Sequence, residues 1–141
     1  MMAASVRSDL LFVAHVMGMV ASLVVLVTMR RSAADASRGL TDAVRARLPK
    51  GRNWAARLFH VAALSGLALS LAGDADQSLR HAWVQVGATA YLVAAGVLEA
   101  VVLPAERRAR DESVVSPWWG RGLDVVLTCV AIATVAMLVQ F

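Results

Sequence analysis

The chain has 141 residues, enough for one ordinary domain, and 59% of them are hydrophobic against 17% charged. The apolar residues fall in blocks instead of being spread as in a water-soluble core, which excludes an ordinary soluble fold. The net charge of +4 raises nucleic acid as a partner, but no aromatic stacking platform or reading motif accompanies the basic residues, so no nucleic acid is expected.

The blocks run roughly over Leu10–Met29, Trp54–Ala72, Ala82–Leu103 and Leu123–Phe141. About 20 apolar residues at a rise of ~1.5 Å span the ~30 Å hydrocarbon layer. Backbone groups in lipid must bond internally, and period-2 barrel alternation is absent, so the spans are predicted to be helices. The expected fold is therefore all-α: a single integral membrane four-helix bundle of up-down topology, covering 1–141 with spans at about 10–29, 54–72, 82–103 and 123–141. Loops 30–53 and 104–122 hold eleven of the fourteen basic residues, among them Arg30, Arg31, Arg107, Arg108 and Arg110. The positive-inside rule places both loops in the cytoplasm and both termini outside, N-out and C-out, as for a multi-pass protein of a bacterial cytoplasmic (inner) membrane. Anionic inner-leaflet lipids are the expected contacts of those loops.

In chain order, Asp9 or Ser8 is a candidate cap for span 1, and an uncleaved span fits better than a signal peptide because Arg30-Arg31 follows directly. Ala14, Gly18 and Ser22 form a small-residue ridge for close helix approach, within the protomer or across a homodimer or larger membrane complex. Leu40, Val44 and Leu48, ending before Pro49, suit either a short amphipathic helix on the inner membrane face or a plain basic tether. Trp54 marks the interface. Span 2 repeats the small-residue ridge at Ala62, Gly66 and Ser70 and ends at Gly73, and a short loop makes spans 2 and 3 neighbours. Gly87 and Gly96 also read as packing residues. In span 3, His81, Gln85, Thr89, Gly96 and Glu99 share roughly an 80° arc, which predicts a face turned into the bundle, and Pro104 is expected to close the helix. Pro117, Trp118 and Trp119 anchor span 4.

Depth sorts the polar residues into two layers. The inner one holds Thr28, Arg57, His60, Glu99 and Asp124, read as an ion- or proton-handling network or as an Arg57–Glu99 clasp with Asp124 capping its helix. The outer one holds His15, His81, Gln85 and Thr89, with Asp74 and Asp76 above, as a candidate ligand or metal site. Met17 and Met19 flank Gly18 as soft donors for Cu(I). For haem, His15 and His60 differ by roughly 13 Å in depth, too far for one iron, and His15 with His81 only partly closes the gap. Cys129 is the sole cysteine, so no intrachain disulfide forms. No Ser-His-Asp arrangement, zinc-protease motif or phosphate loop is present, so no catalytic residue is assigned.

Certain features resemble a family of small bacterial four-span integral membrane proteins without assigned activity. They are His15 and Gly18, the run Ser65-Gly66-Leu67-Ala68-Leu69, Trp83 with Tyr91, and the exit Arg107-Arg108-x-Arg110-Asp111. The layout is more distantly similar to copper-resistance D-type membrane domains, departing from them in the missing tryptophan after the first-span histidine. The resemblance implies the fold and leaves the function open. The expected function is a non-enzymatic accessory subunit or small ligand- or ion-handling bundle. Its alternatives are a haem- or metal-binding redox protein and a membrane enzyme acting on lipid.

Overall fold

The computed structural model describes residues 2–72 and 80–139. The described residues form helices and connecting turns: α1 (Met2–Arg38), α2 (Asp42–Ala46), α3 (Trp54–Ala72), α4 (Ala82–Val97), a π-helical turn (Leu98–Val102), α5 (Leu103–Asp111) and α6 (Pro117–Val139). Four helical stretches are long and apolar enough to cross a membrane: Asp9–Arg38, Trp54–Leu71, Ala82–Asp111 and Pro117–Val139. Their outward surfaces carry Leu10, Phe12, Met17, Val24, Leu64, Leu71, Leu92, Ile132 and Leu138 exposed. So much open apolar surface is unfavourable in water and ordinary against lipid. This is a multi-pass membrane protein.

Several boundaries differ from expectation. Helix α1 begins at Met2, so Asp9 is not its cap, and it continues past Arg30-Arg31 to Arg38 because Ala33 and Ala36 are buried against the core. The Leu40–Leu48 segment holds only the short α2, capped by Thr41, whose hydroxyl accepts the Val44 N–H at 3.3 Å. Its apolar residues turn inward: Leu48 is buried, and Leu40 and Val44 pack on the core, so it is not a free tether. Helix α6 starts at Pro117. Gly73, Asp74, Asp76 and the final two residues lie outside the described residues.

Pro104 does not close the third span. Proline inside a helix removes a backbone donor and crowds the carbonyl four residues earlier. Here the chain widens into the π turn Leu98–Val102 immediately ahead of it, with the Leu103 N–H donating to Leu98 O, and the helix then runs on to Asp111. Bulges of this kind insert an extra residue into a helix and rotate the phase of the turns beyond it.

The helices associate chiefly as two pairs, α1 with α3 and α4 with α6, while α3 and α4 touch little despite being consecutive. Partners in a pair run in opposite directions: His15 meets Ala62 and Met29 meets Asn53. Close approach in the first pair rests on Gly18, where a Cβ would lie 3.0 Å from that of Ala62. In the second it rests on Gly122, where a Cβ would come within 2.9 Å of Val102.

The buried core, with Leu26, Met29, Phe59, Leu98, Val102, Trp119, Leu123 and Val126, lies toward the end where the basic loops emerge. The polar links between the pairs lie there too. Asn53 is central to them. Its Oδ1 accepts the Ala56 N–H at 3.0 Å, capping α3, while its Nδ2 donates to both oxygens of buried Glu106 at 3.0 and 3.1 Å. Arg110 donates to the carbonyls of Pro49 and Gly51, and Arg45 to Ser113. Trp54 and Trp118 are exposed at this end, with Arg52 and Arg57 over the first ring and Arg121 over the second.

Candidate functional site

Away from the basic end the pairs separate, and a cavity of about 350 Å³ opens between them. His15 and Met19 line it from α1, Phe59 and Gly66 from α3, Gly87 and Tyr91 from α4, and Cys129 and Met137 from α6. All four spans thus contribute to one wall. That volume falls at the lower end of the ~300–1,000 Å³ typical of small-molecule sites, and such sites are mostly apolar with a few placed polar groups.

His15 is the principal polar group of this wall. It is only 9% exposed, and its Nδ1 lies 2.6 Å from Ala62 O. A carbonyl can only accept, so Nδ1 carries the proton and donates it. The ring fits because residue 66 is glycine: a Cβ there would lie 2.7 Å from His15 Cε1 and 2.8 Å from Nδ1. Small residues on α1 and α3 therefore serve two ends, admitting the neighbouring backbone at Gly18 and seating an imidazole at Gly66. Gly87 and Gly96 differ from that expectation, since a Cβ on either meets nothing within 4 Å. At Gly87 the open space is the cavity.

At the floor of the cavity the wall joins a polar chain. The Arg57–Glu99 clasp is formed, Nε to Oε1 at 3.0 Å and Nη2 to Oε2 at 2.8 Å. His60 Nε2 lies 3.1 Å from Glu99 Oε1 and its Nδ1 lies 3.1 Å from the Tyr91 hydroxyl. A carboxylate only accepts, so His60 donates from Nε2, and Nδ1 of a neutral ring accepts the Tyr91 hydroxyl proton. Phe59 and His60 pack around the Tyr91 ring. The chain fixes the rotamer of Tyr91, which faces the cavity.

Two members of the expected inner layer stand elsewhere. Asp124 pairs with Arg30, Oδ1 to Nε at 2.6 Å, on the α1–α6 side. It lies in the interior of α6, so it does not cap that helix. Thr28 donates to Val24 O in its own helix, the ordinary resting place of a threonine hydroxyl in a membrane helix. Among the described residues of the outer layer, only His15 lines the cavity. His81 occupies the N-cap of α4 without a side-chain capping bond, and Gln85 and Thr89 are exposed. The buried face of α4 is instead Val84, Ala90 and Ala94, so the polar arc of span 3 looks outward along most of its length.

These placements bear on metal and haem. Among the described residues no three histidine, cysteine or acidic groups converge as a metal site. Both ring nitrogens of His60 are engaged, and of the three histidines only His15 lines the cavity, so a bis-histidine iron site does not fit. Pattern reading missed Phe59 and Met137, and it took Met19 only as a soft metal donor and Gly87 only as a packing residue. The available signal was the row of small residues Ala63, Gly66 and Ser70 facing Gly87 and Ala88, too small to fill the space between two helices.

No protein-family model, curated protein or solved structure matches the chain.

Proposed function

We propose that this protein is a non-enzymatic, ligand-handling membrane bundle that takes a small apolar molecule from the bilayer into the cavity between α3 and α4. The observation that carries this reading is the cavity itself: about 350 Å³, walled by all four spans, with α3 and α4 touching little beside it. An apolar space that opens between two lipid-facing helices is reached from the membrane without crossing water. The bundle is of up-down topology in a bacterial cytoplasmic membrane. Its basic end faces the cytoplasm and anionic lipid, and both termini lie on the opposite face, a placement supported by the arginine distribution. The Arg57–Glu99–His60 chain acts as the clasp that holds the pairs together and positions Tyr91, and it is not needed as an ion path.

Bromodecane in nanodiscs tests this, with bromine as the contact quencher of Trp83, which lines the cavity. The part of the quenching that disappears in Trp83→Phe belongs to that ring. Expected is a saturable component in the native protein that is lost in Gly87→Leu, whose side chain starts from a Cβ with nothing within 4 Å and extends into the cavity. Quenching that rises linearly with bromodecane and is unchanged by Gly87→Leu would sink the reading.

A further inference from the structure

Resting on that reading of the cavity, we infer that its ligand is an apolar molecule with a hydroxyl head, and that His15 Nε2 receives the hydroxyl proton in a hydrogen bond.

The His15 ring is more than nine-tenths buried and lies on the cavity wall. Its Nδ1 proton is committed to Ala62 O at 2.6 Å, which fixes the tautomer and leaves Nε2 of the neutral ring a lone pair and nothing to donate. No hydrogen bond to Nε2 is formed among the described residues. Against an apolar cavity wall an acceptor of this strength is unfavourable when left unpaired. The missing partner is therefore a donor.

Two other polar groups of the wall are already engaged. The Ser70 hydroxyl donates to Gly66 O at 3.1 Å, and the Tyr91 hydroxyl is held by His60. The ring is also held in place before any ligand arrives, wedged over Gly66 where no Cβ fits. Preorganisation of this kind favours a specific contact, because little freedom is lost on binding. An ether or ketone offers Nε2 only further lone pairs, and a hydrocarbon offers nothing. An alcohol or phenol satisfies it while the rest of the molecule fills the apolar space.

The experiment displaces bromodecane from nanodisc-embedded protein with three probes of similar length: decanol, decyl methyl ether and undecane. Recovery of Trp83 emission is read against mole fraction in the bilayer. Decanol is expected to displace at about a five- to tenfold lower mole fraction than the ether or the alkane, the ratio one net hydrogen bond supports. In His15→Phe the three probes become equivalent while bromodecane still enters. The comparison within the native protein stands even where that variant does not fold. Ether as effective as alcohol, or an alcohol preference that persists in His15→Phe, overturns the inference and leaves the cavity intact. Loss of the saturable component itself is the separate failure of the cavity reading. A Soret band in the purified protein that vanishes in His15→Phe puts an iron porphyrin on Nε2 and also overturns the inference.

Discussion

Replacing Gly66 by alanine puts a methyl carbon 2.7 Å from His15 Cε1 and 2.8 Å from Nδ1, well inside van der Waals contact. The ring cannot turn aside without giving up its 2.6 Å bond to Ala62 O, and α1 cannot retreat while Gly18 lies directly on Ala62. Overpacking of this kind costs about 1–3 kcal/mol, and a buried hydrogen bond broken on one side costs about 1–3 kcal/mol. The two are alternatives, since a ring that moves relieves the clash. Alanine returns about 1 kcal/mol of helix propensity, so a net loss of up to about 2 kcal/mol is expected for Gly66→Ala. Gly87→Ala, with nothing within 4 Å of its new methyl, is expected to gain about 0.5–1 kcal/mol. The assay is reversible unfolding in mixed micelles with increasing SDS, followed by far-ultraviolet circular dichroism. Repeating Gly66→Ala in a His15→Ala background completes a double-mutant cycle. With the ring gone the methyl has room, and a coupling of about 2 kcal/mol is expected, within the usual range for side chains in contact. Additive effects, or Gly66→Ala as stable as Gly87→Ala, refute the wedge.

Glu99→Gln leaves the Arg57 guanidinium, 15% exposed, without its counter-charge; because the carboxylate is 40% exposed, the loss is expected between the surface and buried limits, about 1–3 kcal/mol in the same SDS titration. Asn53→Asp separates two roles. A cap alone tolerates aspartate, whereas the second role sets a new carboxylate against buried Glu106, so a loss of about 2 kcal/mol or more is expected, and a neutral result would show that capping is all Asn53 does. Asp124→Asn removes a pair whose carboxylate is 54% exposed, and its unfolding midpoint should move by no more than about 1 kcal/mol equivalent despite the short 2.6 Å contact.

The four spans were legible because hydropathy and length answer directly to the thickness of a bilayer. Their ends were not. Arg30-Arg31 marks where a chain leaves lipid, but nothing in a charge ends a helix, and Ala33 and Ala36 carry α1 on to Arg38 by packing. The Arg57–Glu99 clasp could be read from opposite charges at matching depth in adjacent spans. Its counterpart Arg30–Asp124 could not, since Arg30 reads first as a topology signal. The polar arc of span 3 shows a deeper limit. Periodicity tells which residues share a face, but in lipid both sides of a helix are apolar, so no hydrophobic contrast says which face turns inward. Val84, Ala90 and Ala94 pack by shape, and the π turn ahead of Pro104 shifts the phase before Glu99 can be counted with Gln85. The donor state of His15 depends on a carbonyl 47 positions away in the chain, a relation no local pattern contains.

The pairing of α1 with α3 and of α4 with α6 makes the chain divisible. Each pair contains its own close helix contact, at Gly18–Ala62 in one and Gly122–Val102 in the other. The halves recognise each other through side chains gathered at the basic end: Asn53 with Glu106, Arg57 with Glu99 and Arg30 with Asp124. Two polypeptides, one ending with α3 and the other beginning with α4, would between them keep all of these contacts among the described residues. Duplication, exchange between copies, or replacement of one half by a related hairpin would then act on whole pairs, with the basic end serving as the coupling and the hollow opposite end free to change its contents.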